Sequence, residues 1–466
     1  MSAQETKRTV VLDVVGLATG LIGEHTPNLA RLAKAQGGAR ALTTLLPAVT
    51  CSVQASMLTG LPVSEHGVVG NGWYWKDLAE VLFWRQVNRI TVGEKVWETA
   101  KKRDPKLTCA KMFWWFNMYS SADFAVTPRP MYPADGRKIA DIYTEPEDLR
   151  DELNAALGAF PLFDFWGPRA GIRSSQWIAQ ASKRVFDEKK PTLSFVYLPH
   201  LDYDLQRFGP GDPRIATALR EIDDVVGDLV DHFTKAGARV MIVSEYVITK
   251  VSRAVHPNRA LRDAGLLRVR RELGTEKLDC GGSEAFAVAD HQIAHVYVKS
   301  AARLAEVKKL LGKLPGVAEV LDAAAQKERK IHHERSGDFV LVADEDAWFT
   351  YYYWNDDAKA PDYARTVDIH RKPGYDPVEL FIDPSIAVPQ LKVGFRLAQK
   401  VLGFRYLMDV IPLDASLVKG SHGRPRTSAD EQPVLLSTEP SLLPAADAAP
   451  LHVTDVKGLV LRHLFD

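Results

Sequence analysis

The sequence predicts an α/β fold: a mainly parallel sheet sandwiched by helices, with a smaller α+β cap inserted into it. Three observations carry this. Runs of Val, Ile and Leu recur at residues 10–15, 193–198 and 240–243, the pattern of strands buried on both faces of a parallel sheet. Between the second and third run, Leu219, Ile222, Val226, Leu229 and Phe233 form a helical apolar stripe that Gly237 closes, which makes a βαβ unit. The chain has 466 residues, 46% of them hydrophobic, enough for one large core with insertions.

The insertion begins where the pattern shortens. From about Phe286, short apolar runs alternate with a helix at 303–314 that Pro315-Gly316 ends. Strands are expected at 317–321, 339–342 and 348–353. We therefore divide the chain into a core of residues 1–252 and 371–466 and a cap of residues 253–370 closing over the sheet edge. Residues 111–173 are rich in Trp, Phe, Pro and Met, with Phe113-Trp114-Trp115-Phe116 at their start. They read as an irregular packed loop layer, the alternative being an aromatic substrate wall. Residues 437–450 read as a surface loop.

Bulk charge excludes some classes of partner. Lys plus Arg and Asp plus Glu each number 59, which argues against nucleic acid or an anionic membrane as the main partner. Cys51, Cys109 and Cys280 form neither a disulfide framework nor a thiolate metal site. The apolar run at 9–17 carries Asp13 and reads as a strand, not a signal peptide. No stretch approaches a membrane span, so the expected compartment is the cytoplasm.

Chemistry is expected at the strand ends. Asp13, Asp202 and Glu245 lie at or just past the apolar runs, and ligands of open α/β sheets bind outside the carboxyl ends of strands. In Pro47-Ala48-Val49-Thr50-Cys51-Ser52, Thr50 is placed to cap a helix starting at Cys51 or Ser52. A hydroxyl there faces free N–H groups and the positive end of the helix dipole, which also suit phosphate oxygens. Asn71 follows in Glu65-His66-Gly67-Val68-Val69-Gly70-Asn71, an amide able to donate to a phosphoryl oxygen.

Together these segments resemble the type I phosphodiesterase/nucleotide pyrophosphatase family of the alkaline-phosphatase superfamily. The resemblance rests on the strand bearing Asp13, on Thr26-Pro27-Asn28-Leu29-Ala30-Arg31-Leu32, on the Pro-x-x-Thr loop at Thr50, and on the run from Thr59-Gly60 through His66-Gly67 to Asn71. Gly420-Ser421-His422-Gly423 matches the family's last metal-binding motif. The resemblance implies an alkaline-phosphatase-like sheet, Thr50 as nucleophile and metal contact, Asn71 as phosphate donor, and Asp13, Asp202, Glu245 and His422 as metal ligands. It implies divalent ions, zinc foremost.

The pattern departs from the family at three positions. Gln206 and Tyr246 stand where histidine ligands are expected, and Glu245 stands for an aspartate. Oxygen ligands suit harder ions such as Mn²⁺ or Mg²⁺. His200, His291, His295 and His370 are candidate replacement ligands, and Arg207, Arg371 and Lys372 candidate phosphate contacts. The implied function is metal-dependent hydrolysis of phosphodiester or pyrophosphate bonds in a small phosphorylated substrate. A catalytically degenerate binding or scaffold protein is the alternative, as is a phosphonate, phosphomonoester or sulfate hydrolase.

Overall fold

Val10, Val11, Leu12 and Val14 leave no exposed surface, so the strand that carries them needs a neighbour on each edge and a layer on each face. The computed structural model, which describes residues 6–369, 372–445 and 449–466, supplies both. The main sheet is built from β1 (Thr9–Val14), β2 (Arg40–Thr43), β3 (Cys109–Met112), β4 (Phe124–Pro128), β5 (Ile142–Glu145), β6 (Leu193–Leu198), β7 (Arg239–Val243), β8 (Val434–Ser437) and β9 (Leu451–His452). Its order is β9-β2-β8-β7-β1-β6-β3-β4-β5. The five central strands, from β7 to β4, run parallel, and β5 and β8 pair antiparallel at either side.

Helices cover the sheet. Ile172–Lys189 packs on Ile215–Lys235, and both touch strands, while Val456–Phe465 packs on β1 and on Thr50–Thr59. Burial of the Ile215–Lys235 stripe follows the predicted one, since Leu219, Ile222, Val226, Leu229 and Phe233 are all buried. Each such side chain contributes about 1.5–3 kcal/mol on leaving water.

Three expectations are corrected. Residues 111–173 are not an irregular layer, because β4 and β5 lie within them and complete one side of the main sheet. Their apolar runs are short, and an antiparallel edge strand does not give the long Val/Ile run of a central one. The strand expected at 348–353 is only Ala347–Phe349, after which the buried aromatics Tyr351, Tyr352, Tyr353 and Trp354 pack without a ladder. The carboxylate at 202 does not continue a strand: His200–Phe208 is helical directly after β6.

A second, four-stranded antiparallel sheet comprises Ala285–Asp290, Ile293–Val298, Phe339–Ala343 and Val317–Leu321 in that spatial order. It anchors a second apolar core that draws on residues from Val251 to Val418, with Val81 and Phe83 joining from the main domain.

One close approach fixes the loop that delivers His422. A Cβ on Gly420 would lie 2.1 Å from the Leu205 carbonyl oxygen and 2.7 Å from Ile248 Cγ2. Only a residue without a side chain lets this segment lie on the His200–Phe208 helix. We expect Gly420→Ala to destabilise the protein by about 1–3 kcal/mol through overpacking. Gly458→Ala lies in a helix with open space around it, and is expected to stabilise by up to about 1 kcal/mol. Urea unfolding midpoints of the two variants check both signs.

Candidate active site at the carboxyl edge of the sheet

β1 lies between β6 and β7 and is parallel to both, so all three strands end at one edge. Asp13 is in register with Tyr197 of β6 and Val243 of β7. Glu245 follows β7 by two residues, and Asp202 is the third residue of the helix after β6. The three carboxylates predicted from strand-end positions are therefore brought together, and all are buried.

Thr50 is the first residue of its helix rather than its cap; Val49 holds the capping position, and no side chain caps this end. The threonine hydroxyl is therefore not spent on its own backbone. Thr50 Oγ1 lies 3.2 Å from the Tyr246 hydroxyl. The Tyr246 hydroxyl donates to Asp202 Oδ1 at 3.1 Å, so the Thr50 hydroxyl donates to Tyr246. Asp202 Oδ2 accepts from Gln206 Nε2 at 2.6 Å. Burial pushes the Asp202 carboxyl up to about 7, against the hydrogen bonds from Tyr246 and Gln206. Burial and the neighbouring acids push the Tyr246 phenol far above its ordinary value.

One turn after Thr50 on the same helix, Gln54 closes the other half of the site. Its Oε1 accepts the Trp115 backbone N–H at 2.7 Å. That bond fixes the amide's orientation and turns Nε2 toward the acids, where it donates to Glu245 Oε1 at 2.6 Å and Asp13 Oδ2 at 3.3 Å. Asp13 Oδ1 and Glu245 Oε2 are buried without partners among the described residues. Burial raises both carboxyls, and their proximity raises Asp13 further, so the pair retains a proton near neutrality. Gln54 was not singled out from sequence. Its signal was a polar side chain four residues after Thr50 in a helix whose every residue is buried.

The remaining wall is a histidine–tyrosine group. His422 Nδ1 donates to the Ala48 carbonyl at 2.8 Å, and its ring stacks on Tyr246 at 3.7 Å between centroids and 1° between planes. His291 lies 3.9 Å from the His422 ring. Tyr375 OH donates to Asp290 Oδ1 at 3.2 Å and accepts from Asn71 Nδ2 at 3.1 Å and from His291 Nε2 at 2.9 Å. Asn71 Nδ2 also donates to Asp290 Oδ1, and Asn71 Oδ1 accepts the Cys51 backbone N–H at the helix start. Burial brings His422 down to about 3 and His291 well below its ordinary value, so both rings are neutral.

Above Thr50 is a cavity of about 40 Å³, walled chiefly by aromatic rings, among them Trp84, Trp115, Trp166, Tyr203, Tyr246 and Tyr375. Trp115 alone of the 113–116 run reaches this wall; Phe113, Trp114 and Phe116 are buried in the core. No Lys or Arg lines it among the described residues.

The two-metal centre implied by resemblance does not fit this donor set. A neutral amide nitrogen stands between Asp13 and Glu245, and the two oxygens of Asp202 are held by another amide and a phenol. Among the described residues no group of three or more His, Cys, Asp or Glu is arranged to hold an ion. Of the candidate replacement ligands, His291 reaches the site. His200 instead pairs with Glu221 at 3.0 Å. His295 donates to the Val69 carbonyl at 2.8 Å and accepts the Gly337 N–H. His370 and Arg371 lie outside the described residues. Lys372 is paired with buried Glu379 at 2.5 Å, and Arg207 binds Asp204 and the carbonyls of Gly167, Ala170 and Leu380; neither cation faces the cavity.

Comparison with known proteins places this architecture. Phosphonoacetate hydrolase from Sinorhizobium meliloti 1021, in complex with phosphonoformate, superposes with a TM-score of 0.60 at 14% identity, over 99% of this chain and 96% of that one. Murine ectonucleotide pyrophosphatase/phosphodiesterase 5 gives 0.57 at 15% identity, over 98% and 95%. An uncharacterised pyrophosphatase/phosphodiesterase of Schizosaccharomyces pombe is 24% identical over 216 residues, 45% of this chain but only 37% of that relative's length. No helix among the described residues is long and apolar enough to cross a membrane. The description of the type I phosphodiesterase/nucleotide pyrophosphatase family matches residues 9–376, and with the shared sheet architecture this makes the chain a member of that hydrolase family.

Proposed function

We propose that the chain hydrolyses a small phosphorylated or phosphonate substrate, with the Thr50 hydroxyl as attacking group and its own residues, not a two-metal centre, moving the proton. The observation that carries this is the hydrogen-bonded line from Thr50 through Tyr246 to Asp202. As the threonine oxygen bonds to phosphorus, its proton passes to Tyr246 while the phenol proton passes to Asp202. The phenol is never left ionised, which its raised pKa requires. The leaving group departs with the bonding pair and takes a proton from solvent. Water then attacks the phospho-threonine, its oxygen bonding to phosphorus and its released proton going to solvent, while Thr50 leaves with the bonding pair and recovers through Tyr246 the proton held by Asp202. Asn71 acts by fixing the Cys51 N–H and hence the helix start on which Thr50 sits. The helix dipole favours the substrate's negative charge. The small cavity favours a compact group, and the neighbours' ligands, phosphonoformate and AMP, are of this chemical class.

The Gln54 amide favours a second reading, a binding member of the fold that holds such a ligand without turning it over. Assays of bis-aryl phosphate, mono-aryl phosphate and phosphonate hydrolysis separate the two. Turnover that Thr50→Ala abolishes supports the first reading; ligand binding without turnover in the unaltered protein supports the second.

Asp202 must be ionised to accept a proton, so kcat should rise with pH and level off above about 7. Asp202→Asn should lower kcat at least about 10²-fold. The same change should stabilise the fold at high pH. Asp202 holds its proton more tightly folded than unfolded, so its contribution is intact below about pH 4 and is lost as pH rises through about 7. Removing the charge restores up to about 4 kcal/mol at pH 8, read as a higher urea midpoint at pH 8 than at pH 4 relative to the parent.

The donor set also predicts metal content. Elemental analysis of the purified protein should find no stoichiometric zinc, manganese or magnesium. Gln54→Glu replaces the amide donor with a third carboxylate between Asp13 and Glu245. It should raise Mn²⁺ affinity at least tenfold in calorimetric titration. Stoichiometric zinc in the parent protein would overturn this reading of the donor set.

A further inference from the structure

The helix Pro389–Val401 is turned inside out. It buries none of its residues. Two of its three basic side chains face the protein body: Lys392 and Arg396 both reach Asp409, at 3.0 and 2.9 Å, and Val393 packs against the second core beside them. The face left to solvent carries Leu391, Gly394, Phe395, Leu397, Ala398 and Val401, without a charged group. The apolar surface continues through Leu402 and Phe404; Leu391 is 71% exposed, Phe395 61% and Val401 85%. Scattered exposed apolar residues are ordinary, but a contiguous patch on one helix marks a contact surface.

Charge selects the occupant. Of the four basic residues in 392–405, Lys392 and Arg396 are paired with Asp409, and Lys400 and Arg405 make no ion pair among the described residues. At the helix's carboxyl end a cleft of about 450 Å³ is lined by Lys400, Phe404, Arg405, Tyr406 and Arg137; Asp135 also lines it, paired with Arg137 at 2.6 Å. A second copy docked face to face about a two-fold axis would set these basic rims against each other. An anionic bilayer meets them with opposite charge while its acyl boundary takes the apolar face.

We propose that this helix seats the protein on an anionic phospholipid surface, Leu391, Phe395, Val401 and Leu402 entering the interface and the Lys400–Arg405 cleft meeting headgroup phosphate. The neutral net charge of the whole chain, which argues against an anionic membrane as the main partner, is an average that this segment departs from.

The test is flotation of the full-length protein with vesicles of phosphatidylcholine alone or with 30% phosphatidylglycerol. The protein should float with the anionic vesicles at least tenfold more than with the neutral ones, and the difference should shrink as salt rises. Leu391→Glu/Phe395→Glu should abolish flotation, and Lys400→Glu/Arg405→Glu should reduce it several-fold, both with the parent's melting temperature. Absence of flotation with anionic vesicles overturns the proposal. So does a stable dimer in light scattering that Phe395→Glu dissociates, which would assign the face to a second copy.

Discussion

Four buried carboxylates with almost no cation beside them set the terms for the functional half of this molecule. Asp13, Asp202 and Glu245 meet where the central strands end, and Asp290, the last residue of a second-sheet strand, is buried against Asn71. An isolated buried charge is far more costly than a buried polar group, so each needs a partner or a proton. The partners are neutral: Gln54 between Asp13 and Glu245, Gln206 and Tyr246 on Asp202, Asn71 and Tyr375 on Asp290. These bonds offset only part of the desolvation, which is why burial dominates the upward shift of every one of these acids.

That choice of partner propagates outward. Fixing Gln54 requires the Trp115 N–H, which places Trp115 on the cavity wall. Satisfying Asp202 requires Tyr246, whose ring then serves as the platform for His422, and His422 in turn needs the glycine approach at Gly420. Substituting any one of these residues leaves a buried donor or acceptor without its mate, which is worth more than the bond itself. The site behaves as one network, and Thr50, Tyr246 and Tyr375 all border its cavity.

Much of this was legible in sequence, and unevenly so. Three of the five central strands were, because strands buried on both faces read as unbroken apolar runs; β1, β6 and β7 lie where the runs lie, and they carried Asp13 and Glu245 with them. Strands β4 and β5 were not, since both are short, and β5 is an antiparallel edge strand whose burial alternates. The helical setting of Asp202 was hidden because Pro199 reads as a break rather than as the residue before a helix start. Gln54 lacked any motif of its own, and Asp290 and Tyr375 stood out only as members of polar clusters, at 290–295 and 368–376: their roles come from side chains 41 to 304 residues apart meeting in space, which no local pattern records.

The molecule breaks the ordinary partition of residues twice, and in opposite senses. It gathers charge in its interior at the sheet edge, and it presents an uncharged apolar face to solvent on the Pro389–Val401 helix. Sequences that fold consistently tolerate such conflicts chiefly where function demands them. In the first, amides and phenols offset part of the conflict, while Asp13 Oδ1 and Glu245 Oε2 keep no partner among the described residues. In the second, nothing within the described residues covers the helix face, and a contiguous apolar patch of that kind marks a contact surface. The two conflicts are of different kinds for that reason: one is a set of buried acids held mainly by neutral donors, the other an apolar face left to solvent among the described residues.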